Sequence, residues 1–343
     1  MEDAVGTDRH DEKAIAFFGT WTIIGLYLDG WAHLHNKPET FFSPWHGVLY
    51  SGFTTAVIYF AFREYVLRKK STMDDKLVAW GLALFIAGAV GDGVWHQIFG
   101  IEVDIEALLS PTHLMLLTGG LLMLSMPARN ASKRNDGRVV SFGRFFPTIM
   151  SLTLTSAVAM FFTQYYAAHR MGGLFRDDSG GDFWVVHQIG AILITGALLV
   201  GPTLFAVRRW NTPLGTFTFF YAVIAFAVLG MDEFIFAPHI AAAAVAGLLT
   251  DILASVLRPS PDRRTQGLVF SALVPLAIFG CWYAAIYFMN GIHVAAEIWT
   301  GGLYLAVLEG LGLGALTFAR PQAVAATPVV HEPLEQPVAS SPN

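Results

Sequence analysis

Ten stretches of this chain run for roughly 20 predominantly apolar residues, each long enough to cross a hydrocarbon core about 30 Å thick at about 1.5 Å of rise per residue. They lie at about 14–33, 46–67, 76–98, 111–128, 145–168, 183–207, 213–233, 238–257, 266–289 and 293–319. Backbone polar groups in lipid must be satisfied within the protein, and at this length the helix achieves that. The expected fold class is all-α, a polytopic transmembrane helical bundle of about ten spans. Composition supports it: 54% of the 343 residues are hydrophobic and 14% charged, far from an average soluble domain.

The expected organisation is an N-terminal tail at 1–13, a transmembrane helical domain at 14–319 and a disordered C-terminal tail at 320–343, rich in Pro and small residues. The first thirteen residues are acidic and polar, unlike a cleavable signal, so the first span is expected to insert uncleaved. The single cysteine, Cys281, excludes an intramolecular disulfide and a thiolate-rich metal site. Nothing in the charge pattern indicates nucleic acid, and the expected surroundings are membrane lipid.

Basic residues fall in alternate connections. Arg63, Arg68, Lys69, Lys70 and Lys76 form one group, and Arg129, Lys133, Arg134, Arg138 and Arg144 the next. Arg208 and Arg209 follow, then Arg258, Arg263 and Arg264, with Arg9, Lys13 and Arg320 in the tails. Eighteen of the 21 Lys and Arg residues thus share one side, and only Lys37, Arg170 and Arg176 lie on the other. The positive-inside rule predicts a multi-pass protein of the cell membrane with both termini cytoplasmic.

Histidine takes the opposite side. His46, His113, His187, His239 and His293 stand near the starts of the even-numbered spans, while His33, His35, His96 and His169 fall at the ends of odd spans or in the same turns. The first two turns are near-copies: DGWAH at Asp29–His33 matches DGVWH at Asp92–His96, and SPWH at Ser43–His46 matches SPTH at Ser110–His113. A weaker version, Asp232, Glu233 and then APH ending at His239, recurs in the fourth turn. The pattern predicts five helical hairpins presenting polar residues to one outer mouth.

Aspartate and histidine four apart share a helical face, so one ion can touch both, or the carboxylate can orient the imidazole. In SPWH and SPTH the serine is placed as N-cap and proline as the first helical residue. That sets histidine in the first turn, where the helix dipole favours the neutral imidazole a metal takes. Imidazole nitrogen and carboxylate oxygen suit copper, with zinc and iron as alternatives, better than magnesium or calcium. The candidate ligands are Asp92, His96 and His113, taken as the better-defined set, and Asp29, His33 and His46. His187, Asp232, Glu233, His239, His293 and Glu297 are possible additions.

These motifs resemble the copper site of the C subunit of the particulate methane and ammonia monooxygenases, where a DG(T/S)WH-like run precedes a (T/S)PSH-like one. The match covers a short segment in each of two places. The thirteen residues from His33 to His46 agree with that family, whereas His96 and His113 are seventeen apart. The resemblance implies copper held by Asp92, His96 and His113, and equally by Asp29, His33 and His46. It also implies a monooxygenase-like, oxygen-activating oxidoreductase acting on a small apolar substrate, with electrons from a partner protein or a quinol.

Two other classes fit the residues. A divalent or copper ion transporter would use the outer acids and histidines for capture and would need polar residues deeper in the spans, for which Gln164, Asp251 and Glu309 are the candidates. A haem electron-transfer protein would use paired histidines, although a carboxylate four residues before each is less natural there. Plainer roles also exist: His35 as a solvated loop residue, Glu102, Asp104 and Glu106 as an exposed amphipathic face, and Trp31, Trp45, Trp95, Trp184 and Trp299 as an interfacial belt.

Overall fold

The computed structural model describes residues 9–37, 43–67, 72–100, 104–134, 139–170 and 182–319. The expected C-terminal tail at 320–343, residues 1–8 of the N-terminal tail, and Arg68, Lys69, Lys70, Glu102, Arg138 and Arg176 lie outside the described residues.

The described chain is all-α, with no β-strand among the described residues. Its helices are α1 (Arg9–Leu34), α2 (Pro44–Ala61), α3 (Met73–Phe99), α4 (Asp104–Leu109), α5 (Pro111–Leu124), α6 (Met126–Lys133), α7 (Phe142–Phe162), α8 (Asp182–Arg209), α9 (Thr216–Gly230), α10 (Pro238–Leu257), α11 (Arg264–Asn290) and α12 (Ala296–Thr317). A π-helical turn, Phe62–Val66, prolongs α2, and two 3₁₀ turns, Gln164–Tyr166 and Ala168–Arg170, follow α7. Each apolar stretch of the sequence is helical, and six helices, α3, α7, α8, α10, α11 and α12, are long and apolar enough to cross a membrane. Of the others, α9 is apolar but has only 15 residues, and α5 breaks at Ser125 before α6 begins with Pro127 at its start. The helix α1 starts inside the expected N-terminal tail, with Asp11 and Glu12 buried in its first turn.

Burial sorts the helices. The apolar window of α7 is 78% buried, against 22% for α12, which makes α7 a central helix with α1, α5 and α9 around it. Tyr27 of α1 donates to the Ala157 carbonyl of α7 at 2.9 Å, and Phe145 of α7 meets Trp210 edge-on. Exposed Trp80, Ile86, Val90, Phe226, Val245, Ile252, Phe288 and Leu316 cover the outside, a distribution suited to lipid rather than water.

Four of the five predicted hairpins are closely packed pairs: α1 with α2, α3 with α5, α9 with α10, and α11 with α12. The third differs, because α8 packs chiefly against α12 rather than α7. The first two hairpins repeat in three dimensions. A Cβ at Gly25 would collide with Leu49, and one at Gly88 would come within 3.1 Å of Leu116. Each glycine precedes its aspartate by four, and each leucine follows its second histidine by three. Likewise Gly52 lies where a Cβ would be 2.8 Å from the Thr22 nitrogen, and Gly119 where it would be 2.8 Å from the Phe85 nitrogen. Small residues at these crossings let the backbones approach closely. Phe53 stacks on Phe85 at 4.2 Å and joins the two hairpins.

A buried ionic cluster holds the helix ends that carry the basic residues. Arg63 stands 2.9 Å from Asp11 and 3.0 Å from Asp75, and Tyr59 donates to Asp11 at 2.8 Å. Asp75 also closes a capping box with Thr72 at the start of α3. Asp74 takes Arg129 at 3.2 Å and Lys133 at 2.6 Å, and Arg134 pairs with Glu12. Several bases that read as loop charges in the sequence therefore have buried acidic partners, and the cluster ties α1, α2, α3 and α6 together.

Candidate metal centre

The end of α1 and the start of α2 bring Asp29, His33 and His46 together. One helical turn places His33 Nε2 at 3.7 Å from Asp29 Oδ2, and the close α1–α2 approach at Gly25 sets His46 Nε2 at 3.0 Å from Asp29 Oδ1. One donor atom from each residue lies within 4.8 Å of the other two, the one such group among the described residues. Donors bound to a single ion at about 2.1 Å stand about 3 to 4 Å apart, so a small inward movement closes the set. Asp29 Oδ1 is buried and faces the His46 ring nitrogen. A half-buried carboxylate with two imidazoles beside it is a donor set that fits copper or zinc.

The second copy has the same parts in another state. Asp92 Oδ2 is 3.2 Å from His96 Nε2, but its Oδ1 accepts a 3.0 Å hydrogen bond from the Thr112 hydroxyl. His113 turns the other ring nitrogen inward, its Nδ1 lying 2.7 Å from Ser110 Oγ and 3.5 Å from Asp92. Ser110 caps α5 as the sequence predicts, accepting from the His113 amide, whereas Ser43 is the N-cap of α2 by position without a side-chain cap bond. Of the four extra residues between His96 and His113, two prolong α3 past His96 and two lengthen the connection that contains α4. Sequence reading favoured Asp92, His96 and His113; the tighter donor group is Asp29, His33 and His46. The reason is local: Thr112 occupies the position that Trp45 holds in the first copy, and its hydroxyl satisfies the aspartate.

The two copies adjoin. His33 is in electrostatic reach of His96 and His113 as well as His46, and the half-buried Tyr50 is in reach of both Asp29 and Asp92. Tyr50 and Thr112 were not singled out by the sequence. The signal for both is position within the repeat, Tyr50 four residues after His46 and Thr112 one before His113.

The additional candidates divide. Asp232 is held by Arg170 through two hydrogen bonds of 2.6 and 2.7 Å, and Arg170 also binds Gln164, so this acid is an ion-pair partner. Exposed Glu233 lies 3.5 Å from His35, which itself stacks on Trp31 and bonds the Trp31 carbonyl. His239 is fully buried, its Nδ1–H donating to the His169 carbonyl at 2.8 Å, with Phe236 stacked on its ring. His169 is buried beside it, and burial followed by the neighbouring His239 pushes its imidazole down to about 4. His187 stacks on Tyr166 at 4.6 Å. His293 and Glu297 are exposed near the start of α12 and belong to neither Asp–His–His group.

The polar residues deeper in the bundle are mostly committed. Asp251 of α10 accepts from the Gly215, Phe217 and Thr218 amides and the Thr218 hydroxyl, which caps α9 from outside. Glu309 of α12 is the exception, with a buried Oε2 that has no hydrogen bond and sits where a Cβ on Gly196 of α8 would be. No protein-family model, curated protein or solved structure matches this chain.

Proposed function

We propose that this chain is an integral membrane metalloprotein of about ten spans, with both termini cytoplasmic and a metal mouth on the outer face. The primary ion sits among Asp29, His33 and His46, and a second site is formed by Asp92, His96 and His113. The observation that carries this reading is the convergence of three donor atoms within 4.8 Å around a buried aspartate oxygen that faces the His46 ring. Copper is the proposed ion, on the imidazole and carboxylate donors and on the motif resemblance to the membrane copper monooxygenases.

In that role Asp29 supplies the anionic oxygen and holds His33 by the four-residue spacing, while His46 closes the set from the facing helix. Copper, when bound, would supply redox chemistry toward oxygen. The reaction we infer is oxidation of a small apolar substrate, with electrons from a protein partner or a quinol; shared site residues do not fix a shared reaction, so this step rests on analogy. The rival reading, ion transport, is favoured by one feature, the half-buried Glu309, whose Oε2 has no hydrogen bond. It is weakened by the engagement of Asp251 and Gln164 in local hydrogen bonds.

The test is metal quantification on the purified full chain, with Asp29→Ala/His33→Ala/His46→Ala and Asp92→Ala/His96→Ala/His113→Ala variants alongside. Copper that disappears with the first triple substitution supports the reading. Equal copper in all three samples overturns it, and metal uptake into vesicles by the wild type alone moves transport to first place.

A further inference from the structure

Glu309 stands well inside α12, thirteen residues after Ala296 and eight before Thr317, where the helix ends. At about 1.5 Å per residue it is about 20 Å from one end and about 12 Å from the other. In a helix long and apolar enough to cross a membrane, that depth is hydrocarbon.

The helices packed most extensively on α12 are α8 and α11. Toward α8 the carboxyl enters a slot that glycine leaves open. A Cβ on Gly196 would collide with Oε2, and the same point lies 3.5 Å from the Phe279 ring of α11. Within this slot Oε2 is closed off from the surface and has no hydrogen bond. Glu309 as a whole is half-buried, and it borders the outer face of α12 on which Leu305 and Leu308 are exposed. We propose that Glu309 is a proton-binding site within the membrane, holding its proton in the resting protein and approachable from the lipid side.

A carboxyl taken out of water stays ionised where a cation or several donors compensate it, and otherwise takes up a proton. The neighbouring helices offer no such compensation. On α8, His187 is nine residues before Gly196 and Arg208 twelve after it, about 13 and 18 Å along the axis. Thr195, next to Gly196, uses its hydroxyl on the Tyr166 carbonyl and the Ala168 amide. On α11, Arg264 is fifteen residues before Phe279, and Ser271 donates to the Gly267 carbonyl. Tyr283 meets α12 at Gly302, two turns from Glu309. Cys281, Tyr283 and Tyr287 of α11 and Tyr304 of α12 are neutral thiol and phenols near neutral pH, and Glu297 of α12 is an acid three turns away.

The proton is the occupant this slot admits. A metal ion needs several oxygen or nitrogen donors, and Glu309 belongs to no group of three or more ligating side chains among the described residues. A proton needs one lone pair and no cavity. An acid at this depth is costly, and such acids mark places where protons or ions are handled. The inference rests on the membrane location and not on the metal.

The test is labelling of the full chain in lipid vesicles with dicyclohexylcarbodiimide, a hydrophobic reagent that takes the protonated carboxyl. The carboxyl oxygen adds to the carbodiimide carbon, the acid proton passes to nitrogen, and the adduct rearranges to a stable N-acylurea with no leaving group. At about pH 8, where free glutamate is ionised, Glu309 should be labelled at least about tenfold faster than the exposed Glu233 and Glu297. A water-soluble carbodiimide at about pH 5 should favour that exposed pair instead. Peptide mass spectrometry reads all three sites in one sample, so the wild type carries the test without a variant. Glu309→Gln should lose the adduct and keep the wild-type melting temperature and copper content, because glutamine matches the protonated acid in shape and charge. Labelling of Glu309 no faster than that of Glu233 and Glu297 at about pH 8 overturns the proposal, as does preference of the water-soluble reagent for Glu309. Copper lost from a folded Glu309→Gln protein also overturns it, by making Glu309 a metal-site residue. A wild type without copper that still labels at Glu309 would sink the metal reading alone.

Discussion

Thr112 donates its hydroxyl to Asp92 at 3.0 Å, and the corresponding residue of the first hairpin, Trp45, has no hydroxyl with which to do the same for Asp29. One substitution between two near-identical motifs thus leaves one aspartate oxygen facing an imidazole and puts a hydroxyl donor on the other.

An aspartate oxygen that faces an imidazole gains more from a cation than one held by a hydroxyl donor, because the imidazole can itself turn ligand while the hydroxyl competes for the oxygen. The Asp29 group should bind copper about tenfold more tightly than the Asp92 group. Thr112→Val should tighten the Asp92 group about fivefold by removing its competing donor, in line with about 1 kcal/mol for one hydrogen bond. Titration in the Asp29→Asn and Asp92→Asn backgrounds reads both values. A weaker Thr112→Val site would instead mean that Thr112 orients the carboxylate for the ion.

The close helix approach is a second handle. Gly25→Val should push α2 away from α1, since even a Cβ collides with Leu49, and His46 would leave Asp29. We expect lower thermal stability and loss of first-site metal. Gly88→Ala should cost less, because its Cβ would stand 3.0 Å from the Thr112 carbonyl and needs only a small shift. Comparing melting temperatures of the two variants in detergent tests this order.

Removing the centre of the ionic cluster should be severe. Arg63→Met leaves Asp11 and Asp75 buried beside an uncharged side chain, a type of change that costs about 3 to 5 kcal/mol. Adding Asp11→Asn and Asp75→Asn to Arg63→Met should recover part of that loss. Denaturant unfolding that finds Arg63→Met as stable as wild type would refute the cluster's role.

His169 gives a pH dependence with a definite sign. Its imidazole titrates at about 4 in the folded chain against 6.5 for the free group, so the unfolded chain takes up the proton first as pH falls. Stability from this group is full above about pH 6.5 and declines toward pH 4, by about 3 kcal/mol in all. The His169→Phe variant should show a flatter melting profile across that window.

The helices and the first two hairpins were legible because apolar length and a four-residue Asp–His spacing are local properties of a helix. The repeat was visible for the same reason, whereas the glycine four residues before each aspartate gains its meaning only where a second helix touches it. Which copy forms the tighter group was not legible. It turns on whether Thr112 reaches Asp92 and on which ring nitrogen His113 turns inward, both set by contacts between helices.

By itself the sequence determined an all-helical, lipid-suited chain with duplicated Asp–His–His motifs, since hydropathy and helical periodicity act within single segments. Only the tertiary structure decided that Asp232 is an ion-pair partner of Arg170, that Asp251 caps a neighbouring helix, and that Arg63 lies buried between Asp11 and Asp75. A charge in a sequence carries no record of its partner. Its role depends on the dielectric and the opposite charge it meets after packing, and those come from residues far away along the chain.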